Sequence, residues 1–232
     1  MRTPVAVITG ASRGIGLATA VRFARAGHNV VLAARHAARL EHAILRMTEL
    51  GAACEAVPVD VGAPAGAREL IDVARARFGR IDVLVNNAGA AAVAPIDQFT
   101  DEDFARTIAT NIGGVFHTTR AAWPILRDQG GGVIVNLSSV ASVDPFHGFA
   151  VYGGSKAWVN VFTHAIAAEG KPLGIRAFCV APGAVETEML RGSFPDFPRD
   201  KTLDPDAVAD VIAALCDRAF AAASGQTIFV RK

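Results

Sequence analysis

A phenol and an ammonium group stand four residues apart in Tyr152-Gly153-Gly154-Ser155-Lys156. On a helix both project from one face, about one turn apart. A lysine held beside a tyrosine favours the phenolate and lowers a pKa that is ordinarily about 10. The pair then forms a proton donor and acceptor usable near neutral pH. The same spacing is common on solvated helix faces, so the pentad gains meaning from its surroundings. A second chemistry lies near the N-terminus, where Gly10-Ala11-Ser12-Arg13-Gly14-Ile15-Gly16 follows a short apolar run at residues 5–9 and precedes an Ala-rich stretch at 17–26. Strand, glycine loop and helix together present free backbone N–H groups to a pyrophosphate. The spacing is G-x-x-x-G-x-G rather than G-x-G-x-x-G, and an ordinary glycine-rich turn is the competing reading. Its place in the first strand–helix unit favours nucleotide binding.

The elements that must position these groups can be followed along the chain. Residues 29–34 read as a second strand ending at Ala34-Arg35. At that point dinucleotide folds place a carboxylate for a ribose 2′-hydroxyl or an arginine for a 2′-phosphate. No Asp or Glu occurs before Glu41, and Arg13 sits in the loop facing the same pocket. Two arginines and no acid predict NADP(H) over NAD(H). A charged hydrogen bond is worth about 1.5–3 kcal/mol, roughly tenfold to a hundredfold in affinity, which gives a preference rather than exclusion. Residues 37–50 are helical. A third strand at 53–59 ends at Asp60-Val61, where Asp60 could cap a helix or accept from an adenine amino group. A helix at 65–78 and a strand at 81–85 lead to Asn86-Asn87-Ala88-Gly89, whose asparagines can tie strand ends together and leave room for a flat ligand. Residues 100–129 read as one long helix. Asn111 is a poor mid-helix residue, and Gly113-Gly114 follows, so a local distortion is expected there. A strand at 132–137 runs into Ser138-Ser139; a helix spans about 151–169; a strand at 175–180 precedes Ala181-Pro182-Gly183. Residues 185–202 read as irregular, a helix follows from Asp204 to about 217, and 227–230 form a last strand.

Alternating strands and helices predict a single domain over 1–232: a doubly wound α/β fold with a seven-stranded parallel sheet and helices on both faces. Ligands of such sheets bind beyond the carboxyl ends of the strands. Gly10, Arg35, Asp60, Asn87, Ser139 and Pro182 all follow strands and should converge on one crevice.

The totals narrow the partners. Hydrophobic residues make up 51% of the 232, yet Gly, Arg, Asp or Asn interrupts every apolar run short of the ~20 residues of a membrane span. A formal net charge of +1 gives no electrostatic case for nucleic acid or a membrane surface. Cys54, Cys179 and Cys216 are odd in number and widely spaced, which suggests reduced thiols in a reducing compartment. The six histidines form no ligand-like cluster, so no metal is expected. The first strand begins within a few residues of the N-terminus, leaving no room for a signal peptide; the expected location is cytoplasmic.

Taken together, Thr9-Gly10-x-x-x-Gly14-x-Gly16, Asp60, Asn86-Asn87-Ala88-Gly89, Asn111, Ser139, Tyr152-x-x-x-Lys156 and Pro182-Gly183 with Thr187 give a chain that resembles the short-chain dehydrogenase/reductase family in its compact, single-domain form. The resemblance covers essentially the whole chain and implies a Rossmann-type fold and roles at the matching positions. Tyr152 would be the general acid in reduction and the base in oxidation. Lys156 would lower its pKa and hold the nicotinamide ribose. Ser139, chosen over Ser138 on family spacing, would bond the substrate oxygen, and Asn111 would hold a relay water. Gly10, Ser12, Gly14, Ile15 and Gly16 would form the pyrophosphate loop. Asp60 and Val61 would flank adenine, Asn87, Ala88 and Gly89 would line the cofactor, and Pro182, Gly183, Val185 and Thr187 would meet its nicotinamide end. Arg13 and Arg35 resemble the NADP-preferring members.

The implied activity is hydride transfer between NADPH and a ketone or aldehyde, as a carbonyl reductase or alcohol dehydrogenase. The substrate loop spans about 184–203, and the substrate wall would include Phe146, His147, Phe149, Met189, Leu190, Phe194 and Phe197. A 3-oxoacyl thioester reductase, acting on acyl carrier protein or CoA substrates, is the alternative. A non-catalytic NADP-binding regulatory protein ranks below both because Ser, Tyr and Lys are all present. Relatives that form tetramers continue past the last strand, whereas this chain stops at Val230-Arg231-Lys232. The helix carrying Tyr152 is apolar nearly all round, with Trp158, Val159, Val161, Phe162, Ala165 and Ile166, which implies burial on more than one side; a homodimer through this helix and the Asn111 helix is expected, with a tetramer as the other possibility.

Overall fold

The computed structural model describes residues 2–232. Seven short runs, rich in Val, Ile and Ala, pair into one all-parallel sheet: β1 (Val5–Thr9), β2 (Asn29–Ala34), β3 (Cys54–Pro58), β4 (Val83–Asn86), β5 (Gly132–Leu137), β6 (Ile175–Pro182) and β7 (Thr227–Val230). Their spatial order is β3-β2-β1-β4-β5-β6-β7. Between them lie α1 (Gly14–Arg25), α2 (Ala37–Glu49), α3 (Pro64–Phe78), α4 (Asp101–Ile108), α5 (Gly114–Asp128), α6 (Ala150–Gly170), α7 (Glu188–Ser193) and α8 (Pro205–Leu215).

Strands covered on both faces lose the polar/apolar alternation of a half-exposed sheet, which is why β1 is apolar and buried almost throughout. Successive side chains still point to opposite layers. Ile8, Leu32, Val135 and Val180 pack with Phe23 of α1, Leu40 of α2 and Ile212 of α8. Val7, Val31, Leu84 and Ile134 pack on the other side with Leu70 of α3, Leu126 of α5 and Ile166 of α6. The expected doubly wound arrangement is thus present, with helices on both faces. Among the described residues, no helix is long and apolar enough to cross a membrane.

The strand order reverses between β1 and β4, which pair through Ala6↔Val83, Val7↔Leu84 and Ile8↔Val85. The loops after these two strands diverge and leave a crevice at the carboxyl edge. A chain of buried polar groups fixes the register beside it. Asn86 donates to Asn136 at 2.9 Å and accepts from Thr118 at 2.7 Å, and Asn136 donates to Thr163 at 2.9 Å. This ties β4 and β5 to α5 and α6. A slip of one residue would leave these groups buried without partners, at about 1–3 kcal/mol each.

Two stretches differ from the sequence reading. The helix expected over 100–129 is two helices joined by a π-turn at Ala109–Gly113, with Asn111 fully buried in it. The distortion anticipated at Asn111 is therefore real, and it widens the helix by one residue per turn. Residues 185–202, read as irregular, contain the six-residue helix α7. It is too short for a periodic apolar pattern, and tertiary bonds hold it. Arg191 donates to Glu186 through Nε at 2.8 Å and Nη2 at 2.5 Å, and through Nη1 to the carbonyls of Pro195 and Phe197. Arg191 accordingly holds the Glu186 carboxyl down at about 2. A short parallel bridge between Val185 and Leu203 closes the base of this segment.

Candidate active site

The crevice beyond β1 and β4 is a cavity of about 920 Å³. It is lined by Gly10, Ser12, Arg13, Gly14, Ile15, Arg35, Asp60, Val61, Asn87, Ala88, Gly89, Ser139, Tyr152, Lys156, Pro182, Gly183, Val185 and Thr187. All of the residues predicted for the wall, Phe146, His147, Phe149, Met189, Leu190, Phe194 and Phe197, line the same cavity. Gly16 is buried behind the loop and Asn111 beneath the floor.

The loop after β1 leads straight into α1, with Gly10 at φ 64° and Gly14 at φ 53°. A Cβ on Gly16 would overlap the carbonyl of Gly10 and the amide of Asn87, so this position admits no side chain while the loop keeps its path. Thr9 and Asn87 hold the loop against the end of β4. The Thr9 hydroxyl accepts from the backbone N–H groups of Asn87 and Ala88 at 3.0 Å each. Asn87 Nδ2 donates to the carbonyls of Thr9 at 2.9 Å and Gly10 at 3.1 Å. The result is a shallow cradle of backbone at a helix N-terminus, with the small residues Ala88 and Gly89 opposite. This donor set and shape fit a dinucleotide pyrophosphate. Asp60 lines the cavity and accepts from the Gly62 N–H at 2.8 Å in a tight turn.

The catalytic candidates meet at the other end. Tyr152 and Lys156 lie in the first two turns of α6, and Ser139 lies where β5 ends. Ser139 accepts from the Ala141 N–H at 3.2 Å. Phe149 stands edge-on to the Tyr152 ring, with centroids 5.5 Å apart, and stacks on Phe194 of the substrate loop at 5.9 Å. This aromatic cover makes burial the dominant influence on the phenol and pushes its pKa up, with the Ser139 hydroxyl as the opposing, smaller influence. Lys156 Nζ is 5.7 Å from the Tyr152 ring centroid, and it donates to the carbonyl of Leu137 at 2.7 Å. The Lys156 ammonium is aimed at β5, and the lowering of the Tyr152 pKa expected from sequence is outweighed by burial. Burial pushes Lys156 itself down to about 8.

Asn111 is spent on structure through its side chain. Oδ1 accepts from the Ala90 N–H at 2.8 Å, and Nδ2 donates to the Ala90 carbonyl at 2.9 Å and to the Ser155 hydroxyl at 3.0 Å. The π-turn is thereby clamped to the segment after β4 and to the turn of α6 between Tyr152 and Lys156. Both amide hydrogens are committed, so a relay water would have to use a remaining acceptor.

Three charged residues of the cavity, Arg39, Glu188 and Lys201, escaped the sequence reading. Arg39 and Glu188 line it, and Glu188 forms ion pairs with Arg13 and with Arg39, the latter at 3.5 Å. Arg39, in the first turn of α2, follows Arg35 by four residues, a spacing that could have drawn notice. Glu188 lies so far along the chain that no local pattern points to it.

Comparison with known proteins agrees with the geometry. Residues 4–197 match the family model described as short chain dehydrogenase. The 3beta-hydroxysteroid dehydrogenase 1 of Eggerthella lenta is 36% identical over 236 residues, covering 97% of this chain and 90% of the relative. The solved L-sorbose reductase of Gluconobacter frateurii, complexed with NADPH and L-sorbose, superposes with a TM-score of 0.92 at 30% identity, covering 100% of this chain and 96% of its own. The 3-ketoacyl-(acyl-carrier-protein) reductase of Brucella melitensis, complexed with NADH, superposes with a TM-score of 0.90 at 31% identity, covering 99% and 97%. Glycine cradle, the grouping of the catalytic candidates and the family match lead to one conclusion: the chain belongs to the short-chain dehydrogenase family and is an oxidoreductase of alcohol and carbonyl groups that uses a nicotinamide cofactor.

Proposed function

We propose that the protein is an NADP(H)-dependent carbonyl reductase acting on a largely apolar ketone or aldehyde. The observation that carries this reading is the single cavity in which the glycine cradle, Ser139, Tyr152, Lys156 and an aromatic wall meet. When bound, NADPH supplies the hydride. Ser139 holds the carbonyl oxygen and stabilises the charge that develops on it. Tyr152 gives that oxygen a proton. A phenol whose pKa is raised by burial is fully protonated at neutrality, which suits the reducing direction. The phenolate left behind attracts the ammonium of Lys156, and a lysine titrating at about 8 can return a proton near neutral pH. Lys156 would also hold the nicotinamide ribose, and Asn111 keeps the segment after β4 and the α6 turn in register around it.

For the cofactor, support comes from charge. Arg13, Arg35 and Arg39 line the cavity beside the end of β2, and no carboxylate stands on that strand. Arg35→Asp should move the ratio of NADPH to NADH affinity toward NADH by about tenfold or more. Titration of both dinucleotides by fluorescence checks this; an unchanged ratio would mean that Arg35 does not read the 2′-phosphate.

Lys201 lines the cavity, and Arg199 two residues before it is exposed and lies 3.8 Å from Glu186; these cations give some support to the 3-oxoacyl thioester alternative. Comparing turnover of a 3-oxoacyl thioester with that of simple ketones separates the two readings. The outer faces of α5 and α6 support a homodimer. There Val161 is 71% and Phe116 38% exposed, and Phe116 packs edge-on against Phe162. Light scattering should give twice the chain mass, and a monomer at working concentrations would remove this interface.

A further inference from the structure

Glu188 is the first residue of α7, and Thr187 before it caps that helix by accepting from the Leu190 N–H. The cap orients the start of α7 toward the cofactor side of the cavity. Arg13 reaches Glu188 from the glycine loop, and Arg39 reaches it from the first turn of α2 at 3.5 Å. Thr187 Cγ2 lies close enough to Gly14 to touch a Cβ placed there, at 3.1 Å. The substrate loop thus lies against the cradle at its cofactor end, while Phe194 stacks on Phe149 at its substrate end. Among the described residues Arg35 has no ion pair, so of the three cavity arginines two already hold a carboxylate of the chain.

We propose that Glu188 is an internal counter-anion of the 2′-phosphate pocket, that Arg39 is a third cation of that pocket, and that arrival of a 2′-phosphate displaces Glu188 and loosens α7. The inference rests on the reading of Arg13 and Arg35 as NADP determinants. A carboxylate and a phosphate cannot share two guanidinium groups without like-charge repulsion. The dinucleotide that carries the phosphate must therefore break the Glu188 pairs, whereas NADH need not. Glu188 would lower the affinity for NADPH selectively and couple the identity of the cofactor to the mobility of the substrate loop. All three side chains are about half exposed, so the effect is modest: exposed pairs shift an equilibrium by about twofold to fivefold each.

The test is calorimetric titration of NADPH and NADH into the wild-type protein, Glu188→Gln and Arg39→Gln. Glu188→Gln should tighten NADPH about threefold to tenfold and leave NADH unchanged; Arg39→Gln should weaken NADPH alone. In the wild-type protein, 2′,5′-ADP should speed tryptic cleavage within residues 184–203, and 5′-AMP should not; in Glu188→Gln the cleavage should be fast with neither. An unchanged NADPH-to-NADH ratio in Glu188→Gln, or an equal change for both, overturns the proposal. The same titrations test the underlying reading separately. A wild-type protein that binds NADH more tightly refutes NADP preference, and the Glu188 inference then stands only if Glu188→Gln moves the ratio toward NADPH.

Discussion

Tyr152→Phe should lower carbonyl reduction by about 10²–10⁴-fold while NADPH still binds. The ring remains, so its edge contact with Phe149 and the cover from Phe194 are preserved and the fold should be indifferent to the change. Only the proton donor is lost. The direction of the Tyr152 shift adds a second signature. Because burial holds the phenol protonated well into the alkaline range, reduction should be nearly flat across neutrality, and alcohol oxidation, which needs the phenolate, should rise with pH. Steady-state rates in both directions, with NADPH binding by fluorescence as the control, decide the matter. Turnover that survives the loss of the hydroxyl would assign the proton to another group.

Lys156→Met should cost turnover comparably and yet raise stability at neutral pH. Lys156 is 4% exposed, and burial moves its pKa from 10.5 to about 8. The unfolded chain therefore binds more protons than the folded one between about pH 8 and pH 10.5. Stability rises with pH across that window, and the burden of the buried charge is fully present below it. At about 1.4 kcal/mol per pKa unit the burden is roughly 3 kcal/mol. Loss of the bond to the Leu137 carbonyl offsets about 1–3 kcal/mol of the gain. A net gain of about 1 kcal/mol would raise Tm by roughly 2–4 °C for a chain of this size. The advantage should shrink as pH climbs toward 10, where the wild-type lysine sheds its proton. Thermal melts at several pH values test this, and a variant that melts lower at neutrality would show that the ammonium is better solvated by its surroundings than its burial implies. A residue that strains the fold and serves the reaction is a familiar trade between stability and activity.

How far the sequence carried differs between parts of the site. The sheet was legible because strands buried on both faces read as unbroken Val, Ile and Ala runs, and the glycine loop because no other residue type suits its path. Asn111 announced a distortion, since asparagine before paired glycines is a poor helix former. Its partner Ala90 did not, because nothing local links the two. Helix α7 was missed because Arg191 and Glu186 hold it, not an apolar stripe. The net direction of the Tyr152 shift was not legible for a related reason: proximity to Lys156 along the helix was visible, while the cover by Phe149 and Phe194 and the bond of the ammonium to Leu137 arise only in the folded chain. Glu188 paired with Arg13 and Arg39 belongs to the same class of long-range facts.

The strand order has a consequence for how the molecule is made. β2 and β3 add to one side of β1 as they are synthesised, but β4, its partner on the other side, begins only at Val83. More than seventy residues must emerge before that edge is covered. At about 5–20 residues per second the nascent chain carries an apolar, unpaired strand edge for roughly 4–15 s, the kind of edge that recruits other strands. From β4 onward each strand docks on its immediate predecessor, after 45, 37 and 44 intervening residues. The interval before β4 is the longest wait between any two paired strands of the sheet.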